Sequence, residues 1–225
     1  DVYKRQTEGS TENKWLLGAQ VGADWKINNQ NSLRGALAYY HFDNISGKRS
    51  SSCSPWAGDE NCDTDWSRPA FMQKGNTLFL LRNIAPNPLN PADTPQPQYV
   101  GLASKFDLLD LNLRWDTRVF DGLGLRLNGN YIRNLAYSKS KMASRSQGYI
   151  VNNFGENGDI ESGPNAWMLQ ATLGRSYDLK EKGDWLAFVG YKYIQPDALP
   201  DAFNDSTFHQ GGTNARGHYI GAGYA

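Results

Sequence analysis

The sequence predicts an all-β fold: antiparallel, up-and-down transmembrane strands, about seven of them, forming an incomplete wall of a larger β-barrel. Three observations carry this. Apolar and polar residues alternate with period two along seven segments. The connections between those segments run short, long, short, long, short, long. Aromatic residues on the apolar parity stand ten positions apart.

In the first segment Trp15, Leu17, Ala19, Val21, Ala23 and Trp25 share one face, with Gln20, Asp24 and Lys26 on the other. The second runs from about Ser32 to Asp43 and sets Leu33, Leu37 and Tyr39 against Arg34. The third begins as early as Tyr99 and ends near Phe120, with Leu109, Leu111, Leu113, Trp115 and Val119 alternating with Asp110, Asn112, Arg114, Asp116 and Arg118. The fourth places Leu125, Leu127, Tyr131 and Leu135 against Arg126, Asn128, Asn130 and Asn134. The fifth opposes Trp167, Leu169, Ala171 and Leu173 to Gln170 and Thr172. The sixth spans Trp185 to about Ile194, and the seventh starts near Asn214.

Short connections fall at about 27–31, 121–124 and 179–184, and long ones at about 44–98, 138–164 and 195–213. Outer-membrane barrels have short turns on one side and long loops on the other, an asymmetry that a soluble sandwich has no reason to keep. The middle turn is a register test. A two-residue loop at Asp121-Gly122 would put Arg126 on the face of Trp115, because a one-residue slip swaps faces. A three-residue loop, Asp121-Gly122-Leu123, pairing Val119 with Leu125, is therefore expected.

Trp15 and Trp25 lie ten residues apart, as do Trp167 and Tyr177. Ten residues span about 33 Å of strand, or roughly 25 Å along the membrane normal at a tilt of ~40°, the height of the apolar band between aromatic girdles. The girdle set is Trp15, Trp25, Trp115, Tyr131, Trp167, Tyr177, Trp185 and Tyr193. Arg133 and Arg175 break the pattern, since parity assigns them to the lipid side close to strand ends.

Composition agrees by what it leaves out. Of 225 residues, 23 are Lys or Arg and 23 are Asp or Glu, so there is no basic excess for nucleic acid. No apolar run exceeds about five residues, far short of the ~18 that a membrane helix needs. Mean hydropathy is −0.64, yet aromatics reach 12% and there are 23 glycines. Alternating strands hide a membrane protein from hydropathy. Cys53 and Cys62, in a polar loop, suit a disulfide formed in an oxidising compartment better than two free thiols. The opening Asp-Val-Tyr-Lys-Arg-Gln resembles a translated adapter sequence, so residues 1–10 are left out of the fold argument and 11–225 are assigned to the barrel. No signal peptide opens the chain and it stops inside a strand, so both ends read as cuts.

No catalytic pattern emerges, and no enzyme, cofactor or metal is expected. His41, His209 and His218 form no zinc spacing. No Gly-x-Ser-x-Gly elbow occurs, and Gly122, Gly124 and Gly129 precede no helix. Asp59, Glu60, Asp63 and Asp65 could suggest Ca²⁺, but a solvated acidic loop is the better reading. What chemistry exists is a wall. Gln20, Asp24, Arg34, Asp110, Asn112, Arg114, Asp116, Arg118, Arg126, Asn128, Asn130, Gln170, Thr172 and Lys192 share the polar parity and would line a pore. Cross-strand ion pairs that brace the wall would use the same residues.

Several segments resemble the putative porin family of Gram-negative outer-membrane β-barrels. They are the nine residues from Trp15, the nine from Ser32, the ten from Arg68, the eight from Pro97, the six from Asp201 and the seven from Gly211. The similarity runs from about Thr11 to Ala225. It implies an integral outer-membrane barrel that passes small hydrophilic solutes or ions by diffusion. The expected partners are outer-membrane lipid and lipopolysaccharide, small polar solutes and, for an oligomeric barrel, further copies of the chain; nucleic acid is not among them. Loop 44–98, stiffened by Pro86-Asn-Pro and the proline-rich 90–97, is expected to fold inward or cover the mouth. Two other readings stay open: a non-conducting barrel with a structural or adhesive role, and a secreted β-sandwich that binds carbohydrate at one aromatic cluster.

Overall fold

The structure is a computed structural model that describes residues 2–5, 12–58, 61–90, 98–120 and 122–225, with the backbone alone for 2–5 and 120. The chain runs β1 (Val2–Arg5), β2 (Lys14–Lys26), β3 (Asn31–Asp43), then the short strands β4 (Ser52–Cys53), β5 (Leu78–Leu80), β6 (Asn83–Ile84) and β7 (Val100–Leu102). It continues through β8 (Phe106–Phe120), β9 (Leu123–Asn134), helix α1 (Lys139–Ser146), β10 (Asn165–Gly174), β11 (Trp185–Ile194) and β12 (Ala215–Tyr224). One antiparallel sheet takes eight of these in the order β1-β2-β3-β8-β9-β10-β11-β12. Its edges are β1 and β12, and no pairing joins them among the described residues.

The seven segments of alternating sequence are β2, β3 and β8 to β12. β1 falls within the stretch left out of the fold argument, yet Val2–Arg5 pair with Leu17–Lys14. Residues 1 and 6–10 of that stretch lie outside the described residues. β8 starts at Phe106 rather than near Tyr99, because Val100–Leu102 pair with Leu78–Leu80 in the preceding loop. The sequence shows only a loop at 138–164, but α1 forms there. Ser138 caps it by accepting from the Lys141 N–H at 3.4 Å, and Gln147 ends it at φ 51°. Met142 is the helix's one buried large apolar side chain, too few for a readable period.

The β8–β9 hairpin corrects one expectation. Phe120 pairs with Leu123, so two positions separate the paired residues rather than three, of which 121 lies outside the described residues; Leu125 faces Thr117, not Val119. The extra residue sits in the strand as a bulge: the register shifts between Arg118 and Phe120 and leaves Val119 without a partner. The bulge keeps Asp116 opposite Arg126 and Trp115 opposite Leu127. The need for one odd residue was legible, but a bulge carries no sequence mark that moves it out of the turn.

The core lies on one side of the sheet, at the end where the long loops emerge. Phe42, Phe106, Leu108, Ala166 and Ile194 of the wall pack with Leu102, Ala198 and Leu199 of the loops. Those wall residues have the polar parity, so the loops fold in over that face. A second cluster lies within the loops, where Met142 of α1 packs with Phe79, Leu81 and Ala103. Around them buried amides tie three loops together. Asn76 Nδ2 donates to the Pro196 and Leu199 carbonyls at 2.6 and 2.9 Å, and its Oδ1 accepts from the Asp201 N–H at 2.7 Å. Asn134 Nδ2 donates to the carbonyls of Lys105 and Asp197 at 2.8 and 2.9 Å. Cys53 and Cys62 form a disulfide with Cα atoms 5.7 Å apart. Next to it, Asp65 accepts from the Cys62 N–H at 2.9 Å and pairs with buried Arg82 at 2.6 Å. Residues 91–97, most of the proline-rich stretch, lie outside the described residues.

Two outcomes test this fold. Deletion of Val119 removes the unpaired residue and leaves the register intact, so the folded, heat-modifiable fraction on unboiled gels should match wild type. Deletion of Leu111, which swaps faces along the strand, should abolish it. Gly75 has φ +105° and faces the Thr213 carbonyl so closely that a Cβ would collide with it. Gly75→Ala should therefore loosen the 61–90 segment by on the order of 2 kcal/mol. Tryptic cleavage at Lys74 and Arg82 should then be about 30-fold faster.

Candidate functional site

The register sorts the sheet into two faces of opposite chemistry. On one, the cross-strand row Val21–Leu37–Leu111–Tyr131–Trp167–Tyr193 is joined by Trp25–Leu33–Trp115–Leu127–Ala171–Val189–Ile220. Val21, Leu169 and Ile220 are 70%, 60% and 81% exposed. Neither hydrophobic cluster draws a residue from this face. Seven of the eight expected girdle aromatics lie on it: Trp15, Trp25, Trp115, Tyr131, Trp167, Trp185 and Tyr193. Tyr39, Tyr191 and Tyr224 join them. They fall near both ends of the strands rather than in one cluster.

Tyr177 is the exception. β10 stops at Gly174, so the parity counted from Trp167 does not reach it. The chain turns, and the Tyr177 ring packs 3.9 Å from the Arg126 guanidinium on the opposite face, over Gly124. The connection is accordingly 175–184 rather than 179–184, closed by Asp184, whose Oδ2 accepts from the Lys180 and Glu181 N–H groups at 3.1 and 3.0 Å. Arg175 is also displaced: it lies beyond the strand and lines the polar pocket rather than the apolar face. Arg133 keeps the apolar parity next to the strand end and donates to Asn165 Oδ1 at 3.1 Å.

All fourteen residues expected to line a pore share the other face. The rows are Gln20–Ala38–Asp110, Asp24–Arg34–Arg114–Asn128–Gln170, Asn112–Asn130 and Asp116–Arg126–Thr172, with Lys192 opposite Met168 and Arg118 opposite Gly124. Local bonds hold many of them. Arg34 grips Asp24 with two nitrogens, Nη2 at 2.6 Å from Oδ2. Asp116 sits between Arg126 Nε at 2.6 Å and Arg114 Nε at 3.0 Å. Asp110 accepts from Asn130 and Asn112 at 2.6 and 2.9 Å. Lys192 reaches Asp205 of the last long loop at 3.2 Å. The bracing reading of these residues thus describes part of what they do.

The sequence reading missed the aromatics of this face. Tyr219 lies flat over Gly190 of the neighbouring strand and donates to Gln170 Oε1 at 3.0 Å. Phe188 covers Gly221 in the same way, and the two rings are 6.2 Å apart. A large ring filling the space over a cross-strand glycine is a known device of strongly curved sheets. The pairing of glycine with aromatic needs the register, and parity alone does not supply it. The acidic group considered for Ca²⁺ is divided: Asp63 accepts from Ser51 and Asp65 from Arg82, while 59 and 60 lie outside the described residues.

At the loop end, Asp197 is fully buried. It accepts from the Thr77 N–H at 3.0 Å, the Thr77 hydroxyl at 2.6 Å and the Ser162 hydroxyl. Burial nevertheless outweighs these bonds and raises its pKa above the usual carboxylate range. The same cause raises Asp201, whose Oδ2 accepts from the Gln73 N–H. A carboxyl with a raised folded pKa gives its full stabilisation below the unfolded value and loses it as pH rises through the folded one. Seating of the loops should therefore weaken as pH rises above about 4. Proteolytic release of the 61–90 segment should show this trend, and Asp197→Asn should flatten it.

These features fit one class, the β-type membrane proteins. No helix among the described residues is long and apolar enough to cross a membrane. The family profile described as putative porin matches residues 2–225, and the chain belongs to that family. No curated protein and no solved structure matches the chain.

Proposed function

We propose that this chain forms the wall of an outer-membrane barrel through which small hydrophilic solutes or ions diffuse passively. One observation carries the reading: the sheet is inverted relative to a soluble one. Its apolar face is uncovered, while its polar face is turned toward the loops and the core. Burying a single Leu, Ile or Val is worth about 1.5–3 kcal/mol. Leaving Val21, Leu37, Leu113, Leu169, Val189 and Ile220 in water would forgo on the order of 10 kcal/mol, as much as a whole domain's net stability. Lipid removes that cost. It also forbids an open sheet edge, so the reading includes closure of β1 and β12 by further pairing.

In this reading the aromatics at both strand ends are interfacial girdles, the polar face is the lumen, and the inward-folded loops narrow the mouth. Lipid and lipopolysaccharide contact the outer face. The alternative of a non-conducting barrel draws on one feature, the dense packing of three loops over the loop end of that face.

The test is planar-bilayer recording on the full-length product of the gene, purified from outer membranes. Discrete ohmic steps are expected. Complete silence from protein shown to be folded and inserted would overturn the diffusion role and favour the structural one.

A further inference from the structure

The polar face is not electrically uniform along its length. Towards the loops it is apolar, through Phe42, Phe106 and Leu108, with Asp110 satisfied by two asparagines. Towards the short turns it becomes cationic. Lys26, Arg34, Arg114, Arg118, Arg126 and Arg175 gather there against two carboxylates, Asp24 and Asp116. Within that group six cations stand against two carboxylates.

Stability does not account for this arrangement. Arg34 and Arg114 are direct cross-strand partners, and like charges placed opposite each other destabilise a sheet. Asp24 and Asp116 offset part of the repulsion, each bonded within its own cluster. Asp116 serves two arginines at once, and Arg118 has no ion pair among the described residues. The Tyr177 ring stacks on Arg126 and fixes the direction of its guanidinium. Departures from local stability rules of this kind mark functional positions.

We infer that the turn end of the polar face is a binding track for small oxyanions, carboxylates or phosphates, which makes the pore anion-selective. The inference rests on the diffusion reading above. Guanidinium groups suit oxyanions because their N–H forks match the spacing of carboxylate and phosphate oxygens. A row of them on a wall of low dielectric concentrates anions locally. The pocket they share with Asn29, Asn31 and Ser32 adds neutral polar groups and lies open to solvent. Arg34, held by Asp24 through Nε and Nη2, keeps Nη1 for a ligand.

Reversal potentials in asymmetric KCl test this on the full-length protein. Chloride permeability should exceed that of potassium by at least about threefold in dilute salt and approach parity near 1 M, where the Debye length is about 3 Å. The Arg114→Gln/Arg118→Gln pair should bring the ratio close to one. Arg118→Gln alone removes no ion pair seen here, so it keeps the test valid if the double variant folds poorly, and it should lower the ratio measurably. Arg133→Gln, on the apolar face, should leave the ratio unchanged. Inorganic phosphate added on the turn side should reduce chloride current in wild type and less so in Arg118→Gln. Conductance that favours potassium, or a ratio indifferent to these arginines, overturns the anion track and leaves the pore standing. Absence of any conductance removes both.

Discussion

Parity is the constraint on which the rest depends. A β-strand places alternate side chains on opposite faces, and a sheet extends that division only if every register agrees. Here agreement holds from β2 to β12. Trp25, Leu33, Trp115, Leu127, Ala171, Val189 and Ile220 fall in one row, and Asp24, Arg34, Arg114, Asn128 and Gln170 in another. One slipped register would place an arginine among the exposed leucines. The bulge at Val119 shows how firmly the division is held: the hairpin gives up one pairing rather than let Arg126 change faces.

The loops depend on the same division for a different reason. At their end of the sheet the polar parity gives way to apolar residues, so the chain can bury Leu102, Ala198 and Leu199 there without adding to the uncovered apolar face. Such packing has little direction. Direction comes from Asn76, Asn134 and Asp197, each making several bonds to backbone or hydroxyl groups of other segments. Buried amides satisfied this fully make alternative seatings costly, because any shift leaves several groups unpaired at once.

The wall was legible in the sequence because it is periodic. Five of the seven anticipated strands matched closely in position, and the polar set from Gln20 to Lys192 needed only counting by twos. What was not legible is aperiodic. Tyr177 fits the count from Trp167, but the strand ends three residues earlier and the ring turns to Arg126. α1 carries one buried large apolar side chain and so leaves no helical trace. The coupling of Asn76 to Pro196, Leu199 and Asp201 spans more than a hundred residues, and no local pattern reports it. The glycines became meaningful only once register placed Tyr219 over Gly190 and Phe188 over Gly221.

The chain treats charge differently at its two ends, and solvent is the reason. In the loops, Arg82 and Asp65 are almost fully buried, with side chains 4% and 10% exposed. A buried pair of this kind must be matched in number and geometry, since an unpartnered charge there would be very costly. On the wall, Arg34 and Asp24 are 53% and 64% exposed. Water screens them, so the repulsion between Arg34 and Arg114 costs the fold less than the same pair would cost inside the loops. An excess of one sign is therefore tolerable on the open wall and not inside the loops. Imbalance collects at the end that the short turns leave uncovered, where its cost to the fold is smaller than it would be inside the loops.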